Sequence, residues 1–242
     1  MPIILSIETS TKACSAAIHQ DGKLLSVSEL YNEKSSSGML TTLIEHVVKT
    51  ASLKLQDIDA VAVAKGPGSY TGLRIGVSTA KGLCFTIEKP LIAINTLEAM
   101  AYQLSIGRQS AVNYQLSGSI LSILLSPMLD ARRMEVYCAV YKADTLEVLE
   151  PTQAKIIDET SFADLLENYK IIFFGDGAEK CRVTLGRNPN AVFLNQVIFP
   201  SAKNIGALAI QSFEQQQFEN VADFEPFYLK EFVGTTPKKI LI

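Results

Sequence analysis

Apolar residues recur along this chain with two different periods, and the switches between them mark out its elements. Ile3 to Ile7 is a short β-branched run, Ala13 to Ile18 a second, and Lys23 to Tyr31 a third with alternating character; all three read as strands. Asp21-Gly22 between the last two is a hairpin-turn signal, so the chain opens as a three-stranded meander. From Gly38 to Thr50 the period changes: Met39, Leu40, Leu43, Ile44, Val47 and Val48 fall on one face at helical spacing. Ala60 to Ala64 reads as a buried strand, Gly66 to Gly72 as a loop, Thr71 to Ile87 as a helix and Leu91 to Ile94 as a strand. Thr96 is placed to cap a further helix ending near Leu104.

The second half echoes the first. Ile120 to Leu125, Glu135 to Tyr141 and Thr145 to Leu149 predict strands; Ser161 to Asn168 predicts a helix, Ile171 to Phe174 a strand and Ala178 to Leu185 a helix. In each half an acidic residue lies shortly after the first strand, Glu8 and then Asp130. Two copies of a β-β-β-α-β-α layout predict an α/β protein of two lobes, each a mixed sheet flanked by helices, on the actin-like (ribonuclease H-like, ASKHA) ground plan. The first lobe takes residues 1–106 and the second 107–242, with the polar, aperiodic stretch 107–118 as the link. A late helix over about 202–218 is expected to return to the first lobe. The tail Thr236-Pro237-Lys238-Lys239 reads as loose.

Composition narrows the function. The 242 residues are 48% hydrophobic and 19% charged, as in an ordinary globular protein. The net charge of -3, with no long Lys/Arg run, argues against a chain that grips nucleic acid unaided. Cys14, Cys84, Cys138 and Cys181 are far apart and form no C-x-x-C pair, which reads as free thiols in a reducing, cytoplasmic setting. His19 and His46 have no companions at metal-ligand spacing, so no metal site is expected. The N-terminal apolar run is broken by Glu8, too early for a signal peptide, and no stretch is long enough to span a bilayer; no membrane association is expected.

The most specific segment runs from Lys65 to Gly76, Lys-Gly-Pro-Gly-Ser-Tyr-Thr-Gly-Leu-Arg-Ile-Gly, after a buried strand and into a helix. Its glycines and proline give a rigid loop. Ser69 or Thr71 is placed to cap the helix. Glu8, Thr9, Ser10, Gly66, Gly68, Ser69 and Thr71 together form a candidate phosphate or anion site, because free N–H groups and the helix dipole favour an anion. The loop is neither a Walker loop nor a G-x-G-x-x-G pattern. Arg74, a cation in the first helical turn, admits two readings: an internal ion pair with Glu8 or Asp59, or a contact outside the chain. Gly72, Gly76 and Ala80 line one face, and serve either close packing within the lobe or a helix–helix interface with a partner.

These residues resemble a known family. Ile7-Glu8-Thr9-Ser10-Thr11 with Ala13 to Ala17, the stretch Gly66 to Gly76 with Ala80-Lys81-Gly82-Leu83, Asp130-Ala131-Arg132 with Glu135-Val136-Tyr137, and Pro200-Ser201-Ala202 with Pro226 to Lys230 are similar to the marker segments of the TsaB/YeaZ family. The Gly-Pro-Gly-Ser stretch is shared with the sister family TsaD, whose chains are longer. TsaD carries a His-x-x-x-His metal motif; the matching stretch here, Ser35 to Thr41, has no histidine. Many relatives have Asp where this chain has Glu8.

The resemblance implies a non-catalytic partner subunit. Such a subunit pairs with a TsaD-type transferase that puts threonylcarbamoyl on tRNA, recruits a TsaE-type ATPase, and meets tRNA only through the complex. By the same analogy the partner interface comprises Met39, Leu40, Leu43, Ile44, Val47, Gly72, Leu73, Arg74, Gly76, Val77 and Ala80. The chain is expected to form a homodimer when alone, and to have no cofactor of its own, with ATP or ADP only at the subunit interface. The turn Gly175-Asp176-Gly177 is either a plain turn or a remnant of an adenosine-binding loop. Two alternatives compete: an actin-like phosphotransferase holding magnesium on Glu8 and Asp130, and a glycoprotease-like peptidase, for which no nucleophile–histidine pairing is found.

Overall fold

The computed structural model describes residues 1–31, 36–107 and 122–230. The expected link after Gly107 and the tail at 236–239 lie outside the described residues. Strands β1 (Ile3–Glu8), β2 (Ala13–Gln20) and β3 (Lys23–Tyr31) form the opening antiparallel meander. Asp21 and Gly22 turn it with φ of 51° and 75°, the left-handed pair that a tight hairpin requires. Strands β4 (Ala60–Gly66) and β5 (Leu91–Asn95) add in parallel on the other side of β1, giving the order β3-β2-β1-β4-β5.

The second half repeats this sheet. Strands β6 (Ile123–Asp130), β7 (Glu135–Lys142), β8 (Val148–Ile156), β9 (Lys170–Phe174) and β10 (Ala191–Phe193) stand in the order β10-β9-β6-β7-β8. Read from the meander edge, the two sheets have the same order and the same parallel and antiparallel pairings. Glu8 ends β1 as Asp130 ends β6, so the two acids occupy equivalent places.

Helices fill both faces of each sheet. Helices α1 (Ser36–Thr50) and α2 (Tyr70–Ile87) cover one face of the first sheet. Their inward residues Leu40, Leu43, Ile44, Val47, Val77 and Ala80 pack with Leu5, Ile7, Val61 and Val63. The alternate strand positions Ile4, Ala60, Ala62 and Ala64 face the other way, as the period of two demands. There they meet α6 (Ala202–Glu214), the late helix, which lies on the first sheet although it follows the second in sequence. Small residues let it approach closely: a Cβ on Gly206 would lie 2.2 Å from His19 Nδ1 and 2.6 Å from Ser6 Oγ. Ser201 caps α6, and Ala202 N–H donates to Ser15 Oγ at 2.9 Å. Helix α3 (Thr96–Gly107) lays Leu97, Met100, Ala101 and Leu104 on the second sheet against Leu125, Leu129 and Phe174. Asn204 Nδ2 donates to Gln103 Oε1 at 2.9 Å, so α3 and α6 join the two halves. Helices α4 (Ala163–Asn168) and α5 (Ala178–Leu185) cover the far face of the second sheet.

Several boundaries differ from the sequence reading. The cap of α3 is Asn95, whose Oδ1 accepts from Leu97 N–H at 2.9 Å, while Thr96 is the first helical residue. The helix that starts at Ser161 in the sequence reading starts at Ala163, and α6 ends at Glu214. Strand β6 runs on through Pro127 to Asp130, and its pairing with β7 lapses at Ser126 and Pro127, where proline has no N–H to give. Strand β8 lies at Val148–Ile156 instead of Thr145–Leu149; as a sheet edge it carries Glu150, Gln153 and Lys155, and its polarity hides it. Strand β10 has three residues, too few to show a period.

Candidate functional site

Three of the segments singled out in the sequence meet where the two halves of the chain join. The first is the loop between β4 and α2. Gly66 holds φ at 112°, and a Cβ there would lie 2.8 Å from the Phe227 carbonyl oxygen. Ser69 caps α2, its Oγ accepting from Gly72 N–H at 3.3 Å. Ser69 N–H donates to the Ser10 carbonyl at 2.6 Å, and Thr9 Oγ1 donates to the Gly72 carbonyl at 2.7 Å. The Thr9 carbonyl oxygen stands 2.0 Å from where a Gly72 Cβ would be.

At the expected anion cradle the chain makes contacts of its own. Glu8, Thr9, Ser10, Gly68 and Ser69 come together, Gly66 turns toward Phe227, and Thr71 points out on α2. The amides of Ser69 and Gly72 are already bonded, and carbonyl oxygens crowd the helix start. Glu8 is fully buried. Its Oε1 accepts from Ser10 N–H and its Oε2 has no partner. Burial pushes its carboxyl up to about 7, an effect the hydrogen bonds from Ser10 and Thr9 only partly offset. The Ser10 hydroxyl beside this acid is buried and without a hydrogen-bond partner among the described residues.

The second correction concerns the expected interface. Leu40, Leu43, Ile44, Val47, Gly72, Leu73, Gly76, Val77 and Ala80 are buried within the first lobe. The glycines serve contact with Thr9, the close-packing reading. Of the expected set, Met39 and Arg74 lie on the outside. The outer face of α2 carries Arg74, Ser78, Gly82 and Phe85, the last 83% exposed, and α1 adds Thr42 and His46. Phe85 is the residue that sequence reasoning missed; its signal is a large apolar side chain at helical spacing from Arg74, on the polar face. Neither internal ion pair foreseen for Arg74 forms: Glu8 bonds Ser10, Asp59 bonds Ile3 N–H at 2.9 Å and lies 3.7 Å from Lys89, and the Arg74 guanidinium lies over the Tyr70 ring at 5.1 Å.

The second and third segments complete the junction. Residues after α6 return across the first lobe, where Lys81 Nζ donates to the carbonyls of Ala222 and Phe224 at 3.1 and 2.9 Å. Phe227 N–H then donates to the Lys65 carbonyl at 2.7 Å, and Tyr228 packs on Tyr70 with ring centroids 4.8 Å apart. Lys230 pairs with Glu135 on the second sheet. In the β6–β7 turn, Lys180 pairs with Asp130 and also donates to the Glu135 carbonyl at 2.6 Å. Asp176, from the Gly175-Asp176-Gly177 turn, accepts from Asp130 N–H at 3.1 Å, the role of a plain turn.

This arrangement leaves little for the competing chemistries. Glu8 is closed in, and Asp130 Oδ1 is taken by Lys180 and by Arg132 N–H. No group of three or more His, Cys, Asp or Glu that could hold a metal occurs among the described residues. Burial pushes the thiols of Cys14, Cys84 and Cys181 up to about 11 and that of Cys138 to about 12, far from a nucleophilic thiolate. Among the described residues no helix is long and apolar enough to cross a membrane.

The family model described as TsaD, tRNA N6-adenosine threonylcarbamoyltransferase, matches residues 31–242. The tRNA threonylcarbamoyladenosine biosynthesis protein TsaB of Escherichia coli is 31% identical over 235 residues, covering 96% of each chain. TsaB of Bacillus subtilis is 31% identical over 179 residues, covering 71% of this chain and 70% of the relative. The structure of YeaZ from Pseudomonas aeruginosa superposes with a TM-score of 0.77 at 22% identity, over 95% of this chain and 100% of that one, and shares the fold. Identity at this level over nearly the whole of both chains places this chain in the TsaB/YeaZ family.

Proposed function

We propose that the chain is the non-catalytic partner subunit of the assembly that forms threonylcarbamoyladenosine on tRNA, pairing with and supporting a TsaD-type transferase. The observation that carries this reading is the end-to-end kinship with a protein named for threonylcarbamoyladenosine biosynthesis. A non-catalytic role accords with a site whose acids are buried or held by lysine and whose thiols are buried. The pairing surface is the outer face of α1 and α2, with Met39, Thr42, His46, Arg74, Ser78, Gly82 and Phe85, in place of the buried row. A large bare aromatic beside a glycine that offers open backbone is the makings of an anchor for another helix.

The same face takes a second copy of the chain when no transferase is present. A TsaE-type ATPase joins the pair, and the assembly works in the cytoplasm. Any ATP or ADP taken up is held at the junction with the partner. Titration of a TsaD-type protein with wild-type, Phe85→Lys and Arg74→Glu chains tests the surface. Phe85→Lys is expected to weaken pairing by about tenfold or more, with an unchanged melting temperature. Equal affinity for all three chains would remove this surface from the account.

A further inference from the structure

The turn between β6 and β7 displays two arginines that no acid among the described residues neutralises. Arg132 and Arg133 are exposed and sit within three residues of two acids, Asp130 and Glu135. Both acids are nevertheless taken by lysines from elsewhere: Lys180 of α5 holds Asp130, and Lys230 of the C-terminal segment holds Glu135. No ion pair of Arg132 or Arg133 occurs among the described residues. The backbone that carries them is over-determined. Arg132 N–H donates to Asp130 Oδ1 at 3.0 Å, Glu135 N–H to the Arg132 carbonyl at 3.2 Å, and Ala131 N–H to the Glu135 carbonyl at 3.1 Å. These bonds hold Arg132 and Arg133 at φ of 69° and 50°, left-handed conformations that residues with a Cβ seldom adopt.

We propose that this turn is a contact for the phosphate backbone of RNA, with Arg132 and Arg133 as the phosphate-binding residues. The inference rests on the functional reading above, which places a tRNA in the same assembly. Guanidinium groups fit phosphate oxygens in pairs, and a fixed turn orders them before the RNA arrives. Apart from Met134, 39% exposed, the displayed residues are polar, which suits a solvated backbone better than the apolar centre of a protein interface. The surplus is local, so a chain of net charge -3 can carry it.

The test measures tRNA affinity of the chain paired with its TsaD-type transferase across a salt series, using an in vitro transcript. Wild type is compared with Arg132→Ala/Arg133→Ala and with Arg132→Lys/Arg133→Lys, and pairing affinity is measured for each. The alanine pair is expected to weaken tRNA binding about tenfold and to reduce the salt slope by about two, with pairing unchanged; the lysine pair is expected to restore the slope and only part of the affinity. Unchanged affinity and slope would overturn the proposal. Weakened pairing at unchanged tRNA affinity of the formed pair would overturn it too, and assign the turn to a protein contact. If wild type does not pair with the transferase at all, the functional reading fails and the proposal falls with it; if it pairs and the variants behave alike, only the proposal fails.

Discussion

The N–H of Phe227 donates to the carbonyl of Lys65 at 2.7 Å, stitching the C-terminal segment to the strand end that feeds α2. At the next residue Tyr228 lies against Tyr70, and Lys230 reaches Glu135 on the other sheet. The segment is thus a clasp between the lobes at the base of the proposed pairing helix. Lys230→Glu should speed hydrogen exchange at Phe227 severalfold, and adding Glu135→Lys should restore protection. Global stability should shift by no more than about 1 kcal/mol, because the pair is partly solvated. Exchange at Phe227 that ignores both changes would show that the clasp does not depend on this pair.

Two glycines of α2 should respond to alanine in opposite ways. At Gly72 the new methyl meets the Thr9 carbonyl, which belongs to the backbone and cannot swing aside. Gly72→Ala is expected to cost about 1–3 kcal/mol in urea denaturation. At Gly82 nothing lies within 4 Å, and Gly82→Ala should add up to about 1 kcal/mol through helix propensity. A neutral Gly72→Ala would mean that the loop over Thr9 yields more easily than the packing implies.

This pair also shows how much the sequence disclosed. The spacing of Gly72, Gly76 and Ala80 was readable as a close-contact face, but not which surface it contacts. That depends on the β1–β2 turn, more than sixty residues earlier. The doubled meander follows from periodicity and turn chemistry, and the return of α6 from the two-lobe architecture, while β8 and β10 carry no readable period. The apolar row of α1 was equally visible, yet a row that seals a sheet and a row that seeks a partner have the same period; only burial separates them. Phe85 and the meeting of Lys230 with Glu135 arise from tertiary placement that no local pattern encodes.

The carboxyl of Glu8 gives a pH signature. In the unfolded chain it ionises near its ordinary value of 4.5, while in the folded protein it holds its proton to about 7. The folded state therefore binds the extra proton between these values, and this group's contribution falls as pH rises through that window. Glu8→Gln should gain stability relative to wild type from pH 4.5 upward, levelling above pH 7 at about 3 kcal/mol. His19 works in the opposite sense. Burial lowers its ring to about 4, so its contribution is present above its ordinary value of 6.5 and is lost as pH falls through 4. A difference between wild type and Glu8→Gln that is flat with pH would show Glu8 to be solvated or paired.

Thiol reactivity reports on the four buried cysteines. Native protein should react with a disulfide reagent only as fast as it opens, and all four thiols should react at once in denaturant. A fast-reacting thiol in the native protein would place a cysteine at the surface and reopen a nucleophilic role.

The account turns on the accessory role, and an omission assay addresses it directly. tRNA, ATP, threonine, bicarbonate and TsaC-, TsaD- and TsaE-type proteins of one organism are combined, and threonylcarbamoyladenosine is measured with and without this chain, and with the chain alone. Formation that requires the chain, and no formation by the chain alone, is the predicted result. Formation that proceeds equally without it, or formation by the chain alone, would contradict the account.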